Sequence, residues 1–80
     1  MLDNINWDNV TTHESLTVYT KGKGDSQIKL FDYPKEHLDI IMYDGKEIIR
    51  KDLESALEAV KVIMNDLDSK SEVTRSLINE

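Results

Sequence analysis

The chain reads as an α+β domain: a small antiparallel β-sheet of three to four strands in two hairpins, packed on one long amphipathic helix, with a short C-terminal helix. Three observations predict this. Apolar and polar residues alternate with period two over much of residues 15–49, as they do in strands that bury one face. Asp44-Gly45 interrupts that alternation with the residues a tight two-residue hairpin turn demands. Beyond it, Leu53, Leu57, Val60, Met64 and Leu67 recur at helical spacing.

Taken in order, residues 1–14 fit neither period. Leu2, Ile5, Trp7 and Val10 are scattered among Asp and Asn, which predicts an irregular segment pinned by the large apolar surface of Trp7. Thr11 to Glu14 reads as a connection. Ser15-Leu16-Thr17-Val18-Tyr19-Thr20 is β-branched and aromatic, a strand. Residues 21–26 carry Gly22 and Gly24, turn chemistry in which glycine supplies positive φ. A second strand covers residues 27–33 and ends at Pro34; a third covers 38–43, and after Asp44-Gly45 a fourth covers 46–49. Residues 15–49 are thus a β-meander.

The helix is expected over residues 52–68, with Asp52 as its N-cap. Ala56 and Ile63 flank its apolar stripe, Glu54, Glu58 and Asn65 lie opposite, and Val62 is exposed. Continued as one straight helix, Val73 and Leu77 would fall more than about 90° from the stripe at 100° per residue. Ser69-Lys70-Ser71-Glu72 has the form of a capping box. A break near Asp68-Ser69 and a second helix over residues 70–79 are therefore predicted.

Period two also sorts the strand residues. One face is expected to carry Leu16, Val18, Ile28 and Leu30, the other Tyr19, Phe31 and Tyr33. Ile40 and Met42 oppose Ile41 and Tyr43. One helix of about 24 Å covers one face of such a sheet, so the aromatic face needs a second cover. Trp7 and the N-terminal segment, the C-terminal helix, or another molecule could supply it.

Eighty residues make one domain. Absence of cysteine excludes a disulfide framework, a thiolate metal site and a nucleophilic thiol. No stretch approaches the ~20 apolar residues of a membrane span, and the N-terminus lacks the form of a signal peptide. These features predict a cytoplasmic protein. Sixteen acidic against ten basic residues, a net charge of −6, argue against direct nucleic-acid binding, which draws its affinity from basic groups. They fit either ordinary solubility or attraction to a basic partner.

Catalytic and metal motifs fail on inspection. His13 and His37 are 24 positions apart with no flanking ligand pattern. A calcium loop starting at Asp66 would place Ser71 where glycine is required and Leu77 where glutamate is required. Gly22-Lys23-Gly24 lacks the phosphate-loop pattern and a following helix. No catalytic residue, cofactor or metal is expected, and the protein is read as a non-enzyme. The candidate partner-binding residues are acidic, Asp44, Glu47, Glu54 and Glu58, placed with Asp32 and Asp39 among carboxylates at the strand ends and helix surface. The alternative set is the aromatic face: Tyr19, Phe31, Tyr33 and Tyr43.

In size, charge and layout, residues 15–68 resemble the small inhibitors that bacteriophages deploy against host defences, anti-CRISPR proteins among them. The resemblance implies a non-catalytic binding protein acting in the host cytoplasm. It would occlude a basic, nucleic-acid-handling surface of a larger protein by mimicking phosphate charge. The rival expectation is a structural module that forms a homodimer through the aromatic face.

Overall fold

The computed structural model describes the backbone of residues 5–79 and the side-chain environments of residues 5–67. Strands β1 (Asn9–His13), β2 (Leu16–Lys21), β3 (Ile28–Tyr33), β4 (Leu38–Tyr43) and β5 (Lys46–Arg50) form one sheet in sequential order, and helix α1 (Leu53–Asn79) follows. Every neighbouring pair is antiparallel. The α+β class and the antiparallel meander match expectation; the sheet has five strands rather than three to four.

The additional strand, β1, lies in the stretch expected to be irregular. All five of its residues are exposed. An edge strand wet on both faces has no buried side to impose an apolar period, so alternation cannot reveal it. It pairs from Asn9↔Thr20 to His13↔Leu16, turning at Glu14, whose φ of 47° lies in the left-handed region. The chain before it is stitched to β2: Asp8 N–H donates to the Thr20 carbonyl (2.9 Å) and Gly22 N–H donates to Asp8 Oδ2 (2.8 Å).

The other strands fall close to their expected bounds. At the β4–β5 turn, Asp44 and Gly45 have φ of 50° and 73°, the paired positive values of a type I′ hairpin. Between β3 and β4, Pro34 opens a short 3-10 turn that His37 closes at φ 52°. With Asp44 and His37 set, β3 and β4 pair along their whole length, from Ile28↔Tyr43 to Tyr33↔Leu38.

That register corrects the expected faces. Tyr19 stands opposite Leu30, which stands opposite Ile41 and then Ile48. Tyr19 therefore shares a face with Ile28 and Leu30, and Leu16 and Val18 belong with Phe31 and Tyr33. The loop between β2 and β3 sets the relative phase of the two strands, and alternation within each strand carries no information about it.

Helix α1 lies on the Leu30–Ile41 face. Asp52 caps it: its Oδ1 accepts from Ser55 N–H at 2.8 Å. Ala56, Leu57, Val60 and Ile63 are buried, Leu53, Met64 and Leu67 pack at the margin, and Glu54, Glu58 and Val62 are exposed. Ile5 joins this core and Trp7 packs at its edge, with its ring 5.3 Å from that of Tyr19. Ile5 and Trp7 thus complete the helix side of the sheet.

No short second helix forms. Helix α1 runs unbroken to Asn79, through the expected break at residues 68–69. Residues 51–80 contain neither glycine nor proline. Extending a helix costs far less than nucleating another, so the backbone stays helical through Ser69–Glu72. The expected facing of Val73 and Leu77 lies outside the described side chains.

Candidate interaction site

The face of the sheet turned away from α1 carries a continuous row of half-buried and exposed apolar residues, and among the described residues no helix packs on it. Across it runs the row Val18, Phe31, Ile40 and Ile49, one residue from each of β2 to β5. Leu16 and the Tyr33↔Leu38 pair extend the row at one end, and Met42 extends it at the other. Among the described residues none of these side chains belongs to the core under α1 or packs against it, and Ile49 is 57% exposed. Contiguous apolar surface of this kind on a small domain marks an interaction site more often than chance exposure.

Part of this face forms a groove of about 520 Å³. Phe31, Tyr33, Ile40 and Met42 supply its apolar floor, while Asp25, Asp44, Glu47 and a single lysine, Lys29, also line it. Three carboxylates against one ammonium give an acidic rim around an apolar floor.

The sequence-derived candidates divide across this geometry. Asp44 and Glu47 line the groove, beside Phe31, Tyr33 and Tyr43. Glu54 and Glu58 are exposed on α1, on the opposite side of the sheet from Glu47, so the four acidic candidates do not form one patch. Tyr19 leaves the aromatic set: it faces α1, and burial together with the charges of Asp32 and Asp39 raises its phenol above its ordinary value. Tyr43 also faces α1 by register, at the end of the sheet where it meets both the core and the groove. Asp25 is not among the sequence-derived candidates, because a residue in the turn between β2 and β3 has no period to place it.

Asp32 and Asp39 are not at the surface. They are cross-strand partners on the α1 side, 7% and 1% exposed. The alternation could have found them: Asp32 lies two residues from Leu30 and Asp39 two from Ile41, so the face that buries the leucine and isoleucine buries both carboxyls. Burial, contact with Asp32 and the charges of Asp32 and Asp52 push the Asp39 carboxyl up to about 7. Its Oδ2 is buried with no hydrogen-bond partner among the described residues, as is Trp7 Nε1. Sealed under α1, this pair is out of reach of a macromolecule docking on the open face.

Among the described residues, no three His, Asp or Glu side chains gather closely enough to hold a metal ion. No helix in the described residues is long and apolar enough to cross a membrane. Neither the family models, the curated proteins nor the solved structures include a match to this chain.

Proposed function

We propose that this protein is a non-catalytic binding protein that docks its open sheet face onto a larger protein whose matching surface is apolar at the centre and basic around it. The observation that carries this reading is the joining of two features in one groove: the apolar floor of Phe31, Tyr33, Ile40 and Met42, and the carboxylates of Asp25, Asp44 and Glu47. Apolar contact supplies the affinity, since a few well-packed anchors, aromatic ones above all, carry most of the energy of an interface. The acidic rim, on a chain of net charge −6, steers a basic partner in and disfavours an acidic one. Covering a basic surface that handles nucleic acid, as the small phage inhibitors do, is the role this complementarity fits. A second copy of this chain would bring two acidic rims together, which argues for a heterologous partner.

The test compares capture of proteins from the host lysate by wild-type protein, Phe31→Ser, Ile40→Ser, Glu47→Lys and Glu54→Lys. The two apolar variants should lose a basic captured protein at all salt concentrations. Glu47→Lys should weaken capture at low salt with a defect that shrinks toward ~0.5 M, where the Debye length falls to a few ångströms. Glu54→Lys, on the far side, should behave as wild type. Concentration-dependent dimerisation of the pure protein that Phe31→Ser abolishes would replace this reading with self-association. Equal capture by all four variants would sink both.

A further inference from the structure

A carboxylate pair buried in so small a core calls for a physical account. Asp32 and Asp39 face each other directly across β3 and β4, both are buried, and Asp39 Oδ2 has no hydrogen-bond partner among the described residues. An ionised carboxylate only accepts, so two of them hydrogen-bond only when one carries a proton. The charges that act on Asp39 most strongly are negative, those of Asp32 and Asp52. From β5, Arg50 stands beside Asp39 in the register, yet its Nη1 donates to the Ile49 carbonyl at 2.8 Å. From β2 come Tyr19 and Thr17, neutral side chains on the same face. From the start of α1 comes Asp52, whose carboxylate is held low in pKa by its bond from Ser55 and adds a further negative charge; Lys51 beside it is exposed. The inward residues Leu53, Ala56 and Leu57 carry no charge.

We propose that the Asp32–Asp39 pair is a proton-operated latch between the sheet and the start of α1. One proton shared by the facing carboxyls holds β3, β4 and the first turns of α1 together. Its loss seals two like charges beneath the helix, with Asp52 as a third nearby, and the first turns of α1 loosen from β4. The sign follows from linkage. The folded protein holds the Asp39 proton up to about 7 whereas an ordinary aspartate releases it near 3.8. The folded state therefore binds more protons in that interval, and stability falls as pH rises through it. This inference does not depend on what docks at the open face.

The experiment measures urea unfolding of the intact protein from pH 5.5 to 8.5, above its isoelectric point of about 4.8, beside Asp39→Asn and Asp32→Asn. Wild type should lose stability between pH 5.5 and about 7, by up to about tenfold in the folding constant per pH unit, and level off above. Asp39→Asn keeps a donor to Asp32 without the proton and should lack this fall. His13 and His37 are present in both proteins, so the difference between them isolates the pair. Carboxyl-carbon NMR on the unmodified protein gives a readout that does not require any variant to fold: one of the two carboxyls should titrate near neutral pH. Neither carboxyl shifting between pH 5.5 and 8.5, or an unchanged fall in Asp39→Asn, overturns the latch.

Discussion

Leu57 and Glu58 are neighbours in the chain with opposite surroundings, the first 8% exposed and in the core, the second on the outer surface of α1. Leu57→Ala should therefore cost about 2–5 kcal/mol, the lost transfer energy plus the cavity left behind. Glu58→Ala should stay within roughly 0.5 kcal/mol. Urea denaturation of the two variants checks this, and comparable losses would mean that α1 is rotated on the sheet. Trp7 sets up a different contrast. Its ring packs on Tyr19, but its Nε1 is buried without a partner among the described residues, and an unpaired buried donor costs about 1–3 kcal/mol. Trp7→Phe removes that donor while keeping a ring, so it should shift stability by less than about 1 kcal/mol. Trp7→Ala should cost several times as much. Helical period made Leu57 and Glu58 legible because a helix shows its inward side in every turn. Asp32 and Asp39 share the period of Leu30 and Ile41, but their charge suggests surface and outweighs that period in a reading of the sequence.

At the level of elements, the β4–β5 turn and α1 each make a prediction. Gly45 sits at φ 73° with open space where a side chain would go. Gly45→Val therefore meets no steric clash and should still lower stability by about 1–2 kcal/mol through backbone strain alone; thermal denaturation would show it. Helix α1 crosses residues 68–70 without interruption. Lys70→Pro should then break it and reduce helical circular dichroism at 222 nm, because an interior proline costs about 3 kcal/mol. Had the chain restarted a helix at Ser69, Lys70 would occupy the first helical position, where proline is welcome, and the signal would be unchanged. The Asp44-Gly45 turn could be read in advance since its geometry is set by two residues. The unbroken helix could not, because the capping-box pattern is equally at home in a helix interior.

The described residues form two layers, a five-stranded sheet and one long helix, with a longest extent of 51 Å. A sheet in water with only one covered face leaves the other to solvent or to a partner. On this protein that other face carries the apolar row Val18, Phe31, Ile40 and Ile49 with Met42 beside it, bordered by Lys29 and Glu47. A polar replacement there, such as Ile40→Ser, should leave the melting temperature within a few degrees of wild type, since the side chain lies outside the core under α1. The same change at Ile41, fully buried on the other face, should unfold a large fraction of the protein. Differential scanning calorimetry of this adjacent pair tests the two-faced architecture directly. If Ile40→Ser were as damaging as Ile41→Ser, the open face would be part of the core and the proposed docking surface would fall with it.

Local patterns alone determined the element types from β2 to α1, the Asp44-Gly45 turn, the Asp52 cap and the inward side of the helix, though its buried centre is Ala56, Leu57, Val60 and Ile63 rather than the Leu53–Leu67 stripe. Each depends on residues within a few positions of one another, where propensity, period and capping act. The tertiary structure decided the remainder. The β2–β3 pairing placed Tyr19 under the helix and turned Val18 outward, because register is a relation between strands that neither strand encodes alone. Edge pairing made a strand of the exposed Asn9–His13 segment. Packing against one face put Asp32 and Asp39 in the core and gathered Asp25, Asp44 and Glu47 around the same groove as Phe31 and Tyr33. Burial and juxtaposition arise only when distant parts of the chain meet, so the sequence offered Asp44, Glu47, Phe31, Tyr33 and Tyr43 as candidates but neither Asp25 nor the exclusion of Tyr19, Glu54 and Glu58 from the groove.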